Sequence, residues 1–239
     1  HLQGPLPVTR FPADFQRPPV QNNEGRLHEI AIDAETIARL RGLAGGAGAT
    51  LFAALFTAFN VLVYRYTDQA DLVIGTPVAN RSHRETEDLV GLFVNPLPVR
   101  AHLRSTAGFP DNLKRVQETL WGVLDHQDLP FERLVEELRP ERDPSLHPLF
   151  QLKFQLDAEP KQKIGLPGLE LRRIHSRDVV AKLDLSLNLY EAGDGVKGAF
   201  EFDTALFKQE TVQALAKHFL ALLQAIVENP DLPIAGLAL

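Results

Sequence analysis

The residue types able to run chemistry are few and scattered. Eight histidines occur among the 239 residues, and no two are adjacent. Neither H-x-x-x-H nor H-E-x-x-H is present, and there is no Cys, so the usual zinc-ligand spacings are missing. The lack of Cys also excludes disulfides and thiol nucleophiles in this chain, and leaves the redox compartment undetermined. No G-x-S-x-G marks an esterase elbow, and neither G-x-G-x-x-G nor G-x-x-x-x-G-K-[ST] marks a phosphate cradle. Gly42 to Gly48 (GLAGGAG) is glycine-rich, but it follows a helical pattern and reads as a helix-terminating turn. His126, in HQDLPFERL, has the most interesting neighbours. Beside Asp128 it would serve as a general base. Alternatively, Asp128 caps the next helix while His126 bonds locally at a helix C-terminus, where its charged form suits the dipole. His147 and His175 stand alone and read as satisfied polar residues.

The elements that must position such groups follow from periodicity. The first 26 residues carry Pro5, Pro7, Pro12, Pro18 and Pro19. Proline fixes φ and removes a donor, so residues 1–26 read as an extended arm lying on a surface. Leu27 to Asp33 alternates as a strand, and Asp33 then caps a helix whose Ile37, Leu40 and Leu43 share a stripe ending at Gly45-Gly46. Thr50 caps a second helix running to about Tyr66. Its window Leu51 to Val63 is apolar nearly all round, yet shorter than the roughly 17 to 25 residues a spanning helix needs. A core helix with Phe56 fully buried is expected.

Asp71 to Arg81 (DLVIGTPVANR) reads as a strand covered on both faces, and Val90 to Arg100 (VGLFVNPLPVR) as a second strand. Pro110 opens a helix with Leu113, Val116, Leu120, Val123 and Leu124 inward. Asp128 and Pro130 start another, with Phe131, Leu134, Val135 and Leu138 inward. Four strand-like runs follow between Pro148 and Phe202, the last two joined by a hairpin at Gly193-Asp194-Gly195. The second run (LELRRIHS) lies in Lys161 to Ala181, whose charges fit an edge or excursion strand; an ordinary hairpin is the alternative. A closing amphipathic helix stops at Asn229-Pro230.

Hydrophobic residues make up 44%, enough for a sizeable core, and no repeat or linker divides the chain. The expected fold is one α/β two-layer sandwich of a mixed sheet and helices. With 25 Lys+Arg against 31 Asp+Glu, the formal charge of −6 argues against a nucleic-acid binder. No signal segment opens the chain, which begins at His1 and has no Met, so it reads as an internal piece of a longer polypeptide.

Three short motifs carry more. VGLFVNPLPVR (Val90 to Arg100), HQDLPFERL (around Asp128) and RDPSLHPLFQ (Arg142 to Gln151) occur in that order. Together they closely resemble three late signature motifs of the condensation domains of non-ribosomal peptide synthetases. GTPVANR (Gly75 to Arg81), TLFAALFTAFNVLVYRYT (Thr50 to Thr67) and the closing run from Ala181 also look like that family, so the resemblance covers almost the whole chain. It implies a chloramphenicol-acetyltransferase-like lobe, with residues 27–239 as the C-terminal lobe and 1–26 as the inter-lobe connection. It also implies a tunnel between two lobes, in which an acceptor amine attacks a donor thioester to form an amide. The family's H-H-x-x-x-D-G signature belongs to the other lobe and is not in this chain.

Carried over residue by residue, the resemblance makes Thr76, Pro77 and Asn95 candidates for the tunnel; a strand-end hydroxyl bond is the other reading of Thr76. Arg81, Arg100, His126, Asp128, Arg142 and Asp143 match motif positions that read as structural, with Asn95 tying a loop and Arg100 bridging carboxylates. Pro96 departs from the family, which usually has a polar or small residue there. No cofactor is expected to bind directly; phosphopantetheine arms of partner carrier proteins would enter. Expected partners are the N-terminal lobe, upstream and downstream carrier domains and an adjacent adenylation domain, in the cytoplasm, with no nucleic acid and no membrane. The alternatives are a non-catalytic recruitment module and an epimerization-type relative of the same fold. A coenzyme A-dependent acetyltransferase fits less well.

Overall fold

Capping residues set the helix starts. In the computed structural model, which describes residues 2–81, 83–158 and 179–239, Asp33 accepts the Thr36 N–H at 2.8 Å and opens α1 (Ala34–Gly46). Thr50 Oγ1 accepts the Ala53 N–H at 3.1 Å and opens α2 (Leu51–Thr67). α2 is buried from Leu51 to Tyr64 apart from the half-buried Phe52, as its all-round apolar pattern requires. Next along the chain come α3 (Phe109–Leu124), α4 (Phe131–Leu138) and α5 (Gln209–Glu228). Among the described residues, no single helix is long and apolar enough to cross a membrane.

Among the described residues, seven strands form one mixed sheet: β1 (Glu24–Ile32), β2 (Asp71–Val78), β3 (Asn95–His102), β4 (Leu152–Asp157), β5 (Val179–Val180), β6 (Leu185–Ala192) and β7 (Gly195–Asp203). Their order is β3-β2-β4-β6-β7-β1-β5. The β2–β4 and β4–β6 pairs are parallel, and the others are antiparallel. One face packs on α1, α2, α3 and α5 through Ile30, Ile74, Val99, Phe154, Leu187 and Phe200. On the opposite face a smaller cluster joins Val73 of β2 to Phe131 of α4, Leu149, Phe150 and Leu183. β2 is therefore covered on both sides, as its unbroken apolar run predicts. The β6–β7 hairpin pairs Ala192 with Gly195, and Gly193 takes the turn at φ +63°.

Four expectations change: Leu124, expected inward on α3, is exposed, the arm expected over 1–26 gives way to β1 at Glu24, and two concern the first and second motifs. The strand expected from Val90 starts only at Asn95, and Val90, Leu92 and Val94 are exposed. The ladder with β2 ends where Val78 faces Asn95, so β2 offers no partner to the preceding run. The N-cap position of α4 is held by Pro130 rather than Asp128, and Pro130 makes no side-chain cap bond. The strand-like run LELRRIHS and His175 lie outside the described residues, as does the expected excursion Lys161 to Ala181 as far as 178; within its end, Val179–Val180 pair with β1 at the sheet edge.

The proline-rich stretch before β1 has no helix or strand, yet it is firmly seated. Leu2, Thr9 and Phe11 are buried, and the Phe11 ring stacks on Tyr66 with centroids 5.0 Å apart. Asp14 accepts the Lys208 N–H at 2.8 Å and the Thr211 hydroxyl at 2.9 Å. It thereby gives α5 the cap that Lys208 does not supply.

Candidate functional site

The register of β2 and β3 brings the first candidates together. Thr76 faces Leu97, Pro77 faces Pro96, and Val78 faces Asn95. Thr76 is buried on the face shared with Leu72 and Ile74, while Pro77 is half-buried. Gly75 stands opposite the Phe150 ring so closely that a Cβ would lie 2.3 Å from it, which explains the glycine.

Asn95 is the hub. Its Nδ2 donates to the Gln127 and Leu129 carbonyls, each at 2.8 Å, and its Oδ1 accepts the Phe131 N–H at 3.0 Å. One buried amide thus joins the first motif to the second and provides the cap that α4 lacks. The second motif then meets the third: the Phe131 ring stacks on His147 at 5.5 Å, and His147 lies 4.6 Å from the Phe150 ring. His147 Nδ1 donates to the Phe150 carbonyl at 3.2 Å, and burial holds this imidazole below its ordinary pKa.

The remaining candidates serve neighbouring loops. Arg81 donates to the Thr86 carbonyl and, at 3.0 Å, to the Leu89 carbonyl; its guanidinium lies 4.2 Å from the centre of the Phe93 ring. Arg100 clamps both oxygens of Asp71, at 2.9 and 2.7 Å, and reaches the Gln3 and Pro5 carbonyls at 2.8 and 3.2 Å. It therefore bridges one carboxylate to two arm carbonyls rather than two carboxylates, and it holds the Asp71 carboxyl below the usual range. His126 is exposed, with Nδ1 donating to the Gly122 carbonyl at 2.9 Å near the end of α3. Asp128 is exposed as well. Asp143 Oδ1 accepts both the N–H and the hydroxyl of Ser145, at 2.8 and 2.7 Å, while the adjacent Arg142 is exposed.

The bonds of Asn95, of Asp143 Oδ1 and of His147 Nδ1 hold the loops of the three motifs in place. Among the described residues, no group of three or more His, Asp and Glu could hold a metal. An open cavity lined by His102, Arg115, Glu118 and Thr119 lies at the other end of β3 from Asn95. Sequence reasoning missed Arg17, Gln151 and Asp184, which tie the arm to the third motif. Gln151 closes the third motif, while Asp184 was marked only by a charge in an otherwise alternating strand run.

The condensation-domain family matches the chain over residues 1–239. The chain belongs to that family. It is 43% identical over 243 residues to one of the linear gramicidin synthase proteins of Brevibacillus parabrevis, covering 100% of this chain and 5% of that protein. It superposes on a four-domain nonribosomal peptide synthetase bound to AMP and glycine with TM-score 0.88 and 26% identity, covering 98% of this chain and 19% of the other. The X-domain in a complex with OxyB from teicoplanin biosynthesis gives TM-score 0.90 and 30% identity, covering 99% of this chain and 53% of that one. Both the family and the mixed α/β sheet expected from the motifs are thereby established.

Proposed function

We propose that this chain is the C-terminal lobe of a non-ribosomal peptide synthetase condensation domain. It supplies one wall of the tunnel and a carrier-protein docking surface for amide-bond formation between carrier-bound aminoacyl or peptidyl thioesters. The observation that carries this reading is a disproportion. The condensation family matches the chain from end to end, yet the chain spans 53% of the X-domain and has no adjacent pair of histidines.

Aminolysis of a thioester needs a neutral amine oriented by a base, and two long arms held in near-attack geometry. In this reading the base comes from the N-terminal lobe, joined through residues 1–26. This chain aligns the phosphopantetheine arms of upstream and downstream carrier domains at the β2–β3 end, near Thr76 and Pro77. Asn95 acts there through the loops it holds, an adenylation domain is adjacent, and the work is done in the cytoplasm.

The test uses two carrier proteins loaded with aminoacyl thioesters and the protein that carries this chain. Expected is a dipeptidyl thioester on one carrier, formed at least about tenfold more slowly after Thr76→Phe narrows the strand end. The complex of the X-domain with OxyB favours a second reading, in which the chain recruits a partner protein. Stable carrier binding without any dipeptidyl product would select that reading.

A further inference from the structure

Two of the arm's polar anchors, at Thr9 and Arg17, converge on the third motif. Arg17 Nη1 donates to Asp184 Oδ1 at 2.9 Å and to the Ser145 carbonyl at 3.0 Å, and Nη2 reaches Asp184 Oδ2. Asp184 is only 3% exposed, and a carboxylate at that depth is costly without a cation in contact. Burial raises its pKa, and Arg17 opposes that rise. The Asp184 backbone is itself wired in: its N–H donates to the Gln151 carbonyl and its carbonyl accepts the Asp203 N–H, both at 3.1 Å. Further up the arm, the Thr9 N–H donates to Gln151 Oε1 at 3.1 Å, and Gln151 Nε2 donates to the His147 carbonyl at 3.1 Å.

Ser145, His147 and Gln151 all belong to the third motif. His147 stacks on Phe131 of the second, whose N–H is held by Asn95 of the first. These contacts make one continuous path from arm to third, second and first motif. The path runs over the smaller apolar cluster, against which Leu6 of the arm also packs. A small cluster set apart from the main core opens at lower free energy than the whole molecule.

We propose that the arm is a strap closed by Arg17 on Asp184, and that this clasp holds the three signature motifs in register. The Arg17 clasp acts on the motif layer, whereas Phe11 and Asp14 seat the arm separately on α2 and α5. Tunnel lining and carrier docking are separate matters, so the proposal stands or falls independently of the condensation reading.

Hydrogen exchange read by mass spectrometry tests it on the protein that carries this chain, comparing the parent with Arg17→Ala and Arg17→Lys. Lysine keeps the charge but lacks the planar fork that engages both Asp184 oxygens and the Ser145 carbonyl. In the alanine variant, amides of Ser145–Gln151 and Phe131–Leu138 should exchange at least about tenfold faster, with those of Leu55–Val63 unchanged. The lysine variant should fall between. If the alanine variant does not fold, the lysine variant decides by the same comparison. Acceleration by one common factor everywhere, or none in the motifs, would overturn the strap.

Discussion

At the scale of single residues, one amide and one imidazole hold the motifs. Asn95 is 7% exposed and makes three backbone bonds, so Asn95→Ala removes a bridge and leaves two carbonyls and one N–H to find new partners. A loss of about 2 to 4 kcal/mol is expected, read as a lower urea midpoint at unchanged slope. His147 gives a pH signature. Burial holds its pKa in the folded chain below that of the unfolded chain, so the unfolded chain takes the proton first as pH falls. The stability of the neutral ring is fully present above about pH 6.5 and declines below it. Urea midpoints at pH 7.5 and 5.5 check this: His147→Phe, which keeps an aromatic ring against Phe131 and Phe150, should lose less stability on acidification than the parent. The resemblance of its motif, rather than any local pattern, drew attention to Asn95, both as a loop tie and as a tunnel candidate; its three backbone bonds are those of a tie. Sequence alone did not reach Asp184 or Arg17, because a long-range pair leaves no periodic trace in either segment.

At the scale of elements, local rules worked wherever the signal was local. Asp33 and Thr50 cap the helices they precede, and the Gly193-Asp194 turn joins the two strands it separates. They failed where a distant residue took over the local task. α4 receives a cap from Asn95 and α5 one from Asp14, both distant in sequence from the helix they serve. The apolar run from Val90 reads as strand because propensity knows nothing of partners, and β2 offers none beyond Val78. The sharpest test at this scale is α2. Phe56 is 0% exposed and its ring lies 5.6 Å from that of Phe154. Phe56→Ala should cost about 3 to 5 kcal/mol and lower the melting temperature accordingly. An unchanged melting temperature would contradict the core position of α2.

For the molecule as a whole, fold and function separate. The sheet, its helical layer and the motif cluster on the opposite face make a scaffold, and the family assignment names the family without fixing what this chain does. Nothing in composition or periodicity pointed to a reaction; three motifs in fixed order did, through resemblance. In the function proposed above, this chain supplies half of an amide-forming site and depends on a partner lobe for the histidines. The most direct measurement incubates two aminoacyl-loaded carrier proteins with the chain alone, and then with the N-terminal lobe added in trans. The account predicts no dipeptidyl thioester above the uncatalysed rate from the chain alone, and product once the second lobe is present. Product from the chain alone, abolished by a substitution within it, would contradict the account.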